Sequence, residues 1–209
     1  MNKKGFTLAE VLITLTVIGV ISAMTIPGLR KNADQREMVA GVKKAYSTLS
    51  NTFMLAEQEN GPIKRWGLTD ADTITVFNIL KEHMNITKDC INTTGCLGTG
   101  EFYQLNGAKY TGLTNKGYGS PATAFLTADG MSWAFDIQPN SHYMFFVDVN
   151  GAEKKPNMLG QDVYLFRVYP DGNGVIPEGR GKTNWGTCVE GDTGLDCAAR
   201  VLQEGTMNY

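Results

Sequence analysis

Charge is scarce in this chain. Lys, Arg, Asp and Glu make up 19% of its 209 residues, below the ~25% of ordinary soluble domains, which excludes a disordered polyelectrolyte. A basic surplus is absent as well. The 19 Lys and Arg stand against 21 Asp and Glu, a formal net charge of −2, and that balance argues against a nucleic-acid binder. Enzyme signatures are missing: the sequence holds no GxSxG, no HExxH, no P-loop and no helix-opening GxGxxG. Its two histidines, His83 and His142, lie far apart with no evident nucleophile, so each reads as a surface or cap residue. The chain is therefore expected not to be an enzyme. Glycine is the residue in excess, with most of its 24 copies after residue 94, which predicts a turn-rich second half.

The apolar residues are spread unevenly. Lys3 and Lys4 precede a run from Phe6 to Leu29 that contains one charged residue, Glu10. As a helix this run is ~36 Å long, enough to cross a ~30 Å hydrocarbon core. Apolar side chains line it on all sides, so no polar face remains to meet water. The two lysines are expected to stay cytoplasmic, with the rest of the chain across the membrane. A cleaved secretory signal also has a basic start and an apolar stretch. Against that reading, Ile21-Ser22-Ala23 is a poor small-x-small site, and Glu10 falls inside what should be an uncharged run. A plain membrane anchor fits the length but leaves Glu10 unexplained, because a carboxylate in hydrocarbon normally marks a partner.

The residues Lys3-Lys4-Gly5-Phe6-Thr7-Leu8-Ala9-Glu10 resemble the processing motif of type IV pilins and type II secretion pseudopilins. In that family a membrane prepilin peptidase cuts after the glycine of a short basic leader and methylates the new terminal amine. The resemblance implies cleavage between Gly5 and Phe6, N-methylation of Phe6, and loss of Lys3 and Lys4, which takes the formal charge from −2 to −4. It also implies an assembly role for Glu10, which would neutralise the terminal amine of a neighbouring subunit. The physics agrees: amine and carboxylate are each costly in lipid alone, and pairing between chains removes much of both penalties.

After Pro27-Gly28 the chain turns polar, with Arg30, Lys31, Asp34, Arg36 and Glu37. Val39, Val42, Tyr46, Leu49, Phe53 and Ala56 then recur at spacings of 3, 4, 3, 4 and 3, an amphipathic stripe suited to packing on a folded domain. Asn60-Gly61-Pro62 ends it. One helix from about Phe6 to Asn60 would span roughly 80 Å. Pro27 interrupts its backbone ladder; the resemblance implies local melting inside a filament, and a static kink fits the sequence equally. The expected segments are a leader, 1–5; a transmembrane and assembly helix, 6–29; its amphipathic continuation, 30–60; and an extracytoplasmic globular domain, 61–209.

Thr73 or Asp72 is placed to cap a short helix carrying Ile74, Phe77, Leu80 and Met84 on one side. Residues 85–120 have no clear period and read as loops with at most one short strand, the expected variable surface. Residues 124–127 and 131–137 flank Asp129-Gly130, a preferred hairpin turn. Met131, Trp133, Phe135 and Ile137 alternate and should face the long helix, with further strands at 143–149 and 163–169. The expected fold is α+β, a long N-terminal helix packed on an antiparallel sheet of about four strands, which is also the pilin-like arrangement.

Cys90, Cys96, Cys188 and Cys197 are an even set outside the cytoplasm, which favours two disulfides. Of the three connectivities, Cys90–Cys96 with Cys188–Cys197 closes the two short glycine-rich loops; the resemblance adds that related proteins often staple a C-terminal loop. Asp148, Asn150 and Asp162, with Asn157 and Gly160, gather oxygen ligands around one loop. They make calcium the one cofactor candidate, as in some pseudopilins, although Asp, Asn and Gly are also ordinary turn residues.

The resemblance thus implies a structural subunit of a type IV pilus-like filament or a type II secretion pseudopilus. Its partners would be other pilin-like subunits, prepilin peptidase, an inner-membrane assembly platform with its ATPase, and membrane lipid before assembly; no nucleic acid is implied. Its expected location is single-pass in the bacterial inner membrane, then in a filament in the periplasm or at the cell surface. The competing expectation is a membrane-anchored extracytoplasmic binding module that does not polymerise.

Overall fold

The structure is a computed structural model that describes residues 5, 7–119 and 121–209. Helix α1 runs Leu8–Asn60 with Pro27 inside it. The chain divides into two compact units, Met1–Glu37 and Met38–Tyr209. From Leu8 the first is helix, and among its described residues every large apolar side chain is exposed.

In the second unit the predicted stripe is the buried face of α1. Val42, Leu49 and Ala56 are fully buried, Val39 and Phe53 nearly so, and Tyr46 partly; Ala45 and Thr52 complete the face. Gly61 terminates the helix in the left-handed conformation (φ 78°), its N–H donating to the Glu57 carbonyl at 2.9 Å. Helix α2 (Thr73–Lys81) follows a capping turn in which the Asp72 carboxylate accepts from the Thr69 N–H and hydroxyl. Phe77, Leu80 and Met84 are buried as expected; Val76 joins them, while Ile74 is half-buried.

The sheet has six antiparallel strands rather than about four. They are β1 (Ile86–Ile91), β4 (Thr123–Thr127), β5 (Ser132–Gln138), β6 (His142–Asp148), β7 (Val163–Val168) and β8 (Val175–Pro177), ordered β1-β4-β5-β6-β7-β8. The two strands beyond the expected four are the edges. β1 carries exposed Thr87, Lys88 and Asp89, so it shows no alternation; its ladder to β4 makes it a strand. β8 has three residues, too few for a period.

Met131, Trp133, Phe135 and Ile137 join Tyr143, Phe145, Val147, Tyr164 and Phe166 in one core with the α1 stripe. Gly41 lets α1 approach closely here: a Cβ at this position would lie 2.8 Å from Val149 Cβ. The opposite face is buried too. Ala124, Ala134, Met144, Phe146, Val163 and Leu165 pack under Cys90, Cys96, Leu97, Phe102 and Leu113. The segment expected as variable surface therefore covers the second sheet face. It includes the small ribbon β2 (Phe102–Tyr103) and β3 (Lys109–Tyr110). Tyr110 and Tyr118 set their rings 5.9 and 5.1 Å from that of Phe146. Helix α3 (Cys197–Glu204), which has no counterpart in the sequence reading, returns against β7 and is closed by Gly205 at φ 67°.

Candidate functional site

The N-terminal end of α1 opens on a reciprocal cap. Glu10 Oε2 accepts from the Thr7 N–H and from the Thr7 hydroxyl, both at 2.8 Å, and the Glu10 N–H donates to Thr7 Oγ1 at 3.3 Å. This is a Thr-x-x-Glu capping box, with the acid at the positive end of the helix dipole. The Thr-x-x-Glu spacing of Thr7-Leu8-Ala9-Glu10 is itself the sequence signal for this cap. In the single chain Glu10 has a partner of its own. Gly5 is exposed; Phe6 and residues 1–4, on which the cleavage and methylation expectations fall, lie outside the described residues.

Beyond the cap, Leu12, Ile13, Leu15, Ile18, Ile21, Met24 and Leu29 are all more than half exposed. The three threonines in this stretch do not offer free hydroxyls. Thr14 donates to the Val11 carbonyl at 3.0 Å, Thr16 to Leu12 at 2.7 Å and Thr25 to Ile21 at 2.9 Å. Hydroxyls bonded back to their own helix suit an apolar surrounding, where an unbonded one is costly. Pro27 has no N–H, so the Ala23 carbonyl lacks its helical donor. The helix is compatible with a membrane anchor by length and composition.

A family model for the prokaryotic N-terminal methylation motif matches residues 1–26. This is the prepilin-type cleavage and methylation signal. Over those residues the chain is similar to the N-terminal segment of type IV pilins and pseudopilins. No curated protein matches the chain, and no solved structure does. The matched motif ends within α1, and the globular unit lies outside it.

In that globular unit the structure brings Asp148, Asn150, Asn157 and Asp162 together at the β6–β7 connection. Asp162 is fully buried: its Oδ1 accepts from Met158 N at 2.6 Å, and its Oδ2 from Asn157 N at 2.9 Å and Asn150 Nδ2 at 3.4 Å. Asp148 is 2% exposed; its carboxylate oxygens make no well-formed hydrogen bond, and the nearby Asn150 and Gly151 N–H groups only partly offset its burial. The side-chain oxygens of Asn150 and Asn157 are equally orphaned. Burial, and next the Asp162 charge, push the Asp148 carboxyl up to about 8. At neutral pH this pair therefore calls for a proton or a cation. Buried oxygens with spare acceptor capacity fit a hard divalent cation, which takes six to eight oxygen ligands. The residue types are legible in the sequence; their burial and their convergence are visible only in the fold.

The structure joins Cys90 to Cys96 and Cys188 to Cys197. The first bond lies in the cover of the second sheet face, and the second ties the start of α3 to the preceding loop. A chain of ion pairs beside it has no trace in the sequence reading. Arg167 pairs with Glu178 at 2.5 Å, Lys182 reaches Glu178 at 3.4 Å and Asp196 at 2.7 Å, and Asp196 Oδ2 accepts from Thr187 N at 2.7 Å. Burial works against the charge on Asp196, but the Lys182 and Thr187 hydrogen bonds outweigh it and hold its carboxyl below the usual range. These groups come from β7, the segment after β8 and the start of α3, and they brace the C-terminal loop. His142 is also not a surface residue: it is 8% exposed at the start of β6, its ring 5.0 Å from that of Tyr169.

Proposed function

We propose that this chain is a structural subunit of a type IV pilus-like filament or type II secretion pseudopilus, trimmed between Gly5 and Phe6, methylated on Phe6 and assembled through α1. The observation that carries the reading is the methylation motif running directly into an apolar stretch whose side chains find no cover within their own chain. Before assembly, lipid of the bacterial inner membrane covers that stretch, with the globular unit extracytoplasmic; in the filament, the same stretch of neighbouring subunits does. Glu10 exchanges its Thr7 bonds for the methylated amine of a neighbour. Force comes from a separate assembly ATPase acting through the membrane platform.

Mass spectrometry of purified protein tests the processing step. A mature terminus of methyl-Phe6 is expected, and an intact Met1 overturns it. Glu10→Val tests assembly: insertion and processing are expected to stay normal while incorporation into filaments is lost. One observation favours a second reading, a membrane-anchored module that does not polymerise. The capping box already occupies Glu10 within its own chain, so the acid needs no neighbour. On that reading Thr7→Ala and Glu10→Val behave alike, whereas the filament reading requires Glu10→Val to be the more damaging.

We also propose that Asp148, Asn150, Asn157 and Asp162 hold calcium, which neutralises the buried acid pair and fixes the β6–β7 connection. Melting of the full chain in detergent, in chelator against millimolar calcium, is the test. Saturation at a hundredfold excess over Kd is worth about 2.7 kcal/mol, and the shift is expected to vanish in Asp148→Asn. A melt that does not move removes calcium from the reading.

A further inference from the structure

The last turn of α1 and the end of α2 carry a second group of ligand-type side chains, unrelated to the motif or to the β6–β7 loop. Glu59, Glu82 and His83 place a carboxylate oxygen each and an imidazole nitrogen within 4.8 Å of one another. The glutamates are exposed and adjustable. His83 is not: its side chain is 9% exposed, and its Nε2 lies 3.6 Å from Glu59 Oε2. That nitrogen is buried and has no hydrogen-bond partner. His83 is further held by its backbone, its N–H donating to the Leu80 carbonyl at 3.0 Å and its carbonyl accepting from Thr52 Oγ1 of α1 at 3.5 Å. A fixed imidazole nitrogen, orphaned and facing carboxylates that are free to move, is the arrangement of a metal ligand awaiting its ion.

The donor set selects the ion. An imidazole with two carboxylates suits zinc, whereas calcium prefers oxygen throughout. Bonds of about 2.0–2.2 Å to zinc bring tetrahedral ligands roughly 3.4 Å apart. The exposed glutamates reach that spacing by swinging inward, while His83 stays in place. We propose that Glu59, Glu82 and His83 form a zinc site that clamps the end of α1 to the end of α2, with water in the fourth position. The site is independent of whether the chain polymerises and of the β6–β7 loop.

Zinc chloride titrated calorimetrically into the metal-free full chain in detergent, with millimolar calcium present throughout, is the experiment. One zinc per chain is expected, together with a rise in melting temperature. Cobalt in its place is expected to give the intense visible absorption of a tetrahedral centre. Glu59→Gln and Glu82→Gln are exposed changes that leave folding intact; each is expected to weaken zinc binding by about tenfold or more, and His83→Gln to abolish it. Asp148→Asn is expected to bind zinc as the parent does. The absence of saturable one-to-one binding in the parent overturns the site, as does a Glu59→Gln, Glu82→Gln double variant that binds with parental affinity.

Discussion

One face of the sheet is covered by a helix, the other by a loop closed with a disulfide. On the first, α1 presents Val42, Leu49, Phe53 and Ala56 to Trp133, Phe135 and Phe145, and regular structure meets regular structure. On the second, Leu97, Phe102 and Leu113 reach Phe146 and Leu165 from a segment whose ordered pieces are two-residue strands. Both faces are buried, but only the first is held by a periodic element. The second depends on the Cys90–Cys96 bond and on polar groups buried at its margin, among them Asp136, His142 and Asp148.

The largest effect is expected on the helical face. Phe53 is 3% exposed and packs on the rings of Trp66, Tyr143 and Phe145. Phe53→Ala is expected to cost about 3–5 kcal/mol in denaturant unfolding, as a single cooperative loss. The loop-covered face should fail differently. Replacing Cys90 and Cys96 with serine removes a short closed loop worth about 2 kcal/mol, and the expected readout is faster proteolysis within residues 92–119 ahead of global unfolding. Simultaneous loss of both faces in that variant would dissolve the distinction drawn between them.

That contrast also separates what the sequence disclosed from what it did not. The α1 stripe was legible because a helix writes its buried face at spacings of three and four. The hairpin around Asp129-Gly130 was legible because turn chemistry is local. Leu97, Phe102 and Leu113 stand singly among glycines and polar residues, and nothing near them in the chain indicates what they cover. Strand β1 was hidden because edge strands keep polar side chains. The cap of Glu10 by Thr7 was readable from spacing alone, whereas the meeting of Glu59 with His83 joins positions brought together only by folding.

A smaller, pH-dependent effect belongs to the loop-covered side. Burial, and then the Arg167 charge, depress the His142 imidazole to about 4. Its contribution is therefore full above the ordinary histidine value and is lost as pH falls through 4. Burial raises Asp136 to about 6; its contribution is present below the ordinary carboxylate value and lost as pH rises through 6. Between pH 4 and 6 the two oppose one another. On acidification across that interval, His142→Asn is expected to gain melting temperature relative to the parent, and Asp136→Asn to lose it. The smallest change is expected from Lys44→Met on the helical face, where Lys44 meets Asp129 at 2.9 Å with its side chain 56% exposed. Such a pair is worth less than about 1 kcal/mol, and a denaturant midpoint shifted no further than that is the expected result.

The absent side chain of Gly41 has a mechanical consequence. The helix backbone rests there directly on the side chain of Val149, the residue between Asp148 and Asn150, so displacement of that loop bears on α1 through one stiff β-branched side chain alone. A cation at the proposed calcium site would thereby act on the stretch of α1 that covers the sheet, and a single methyl group at position 41 is enough to crowd that contact.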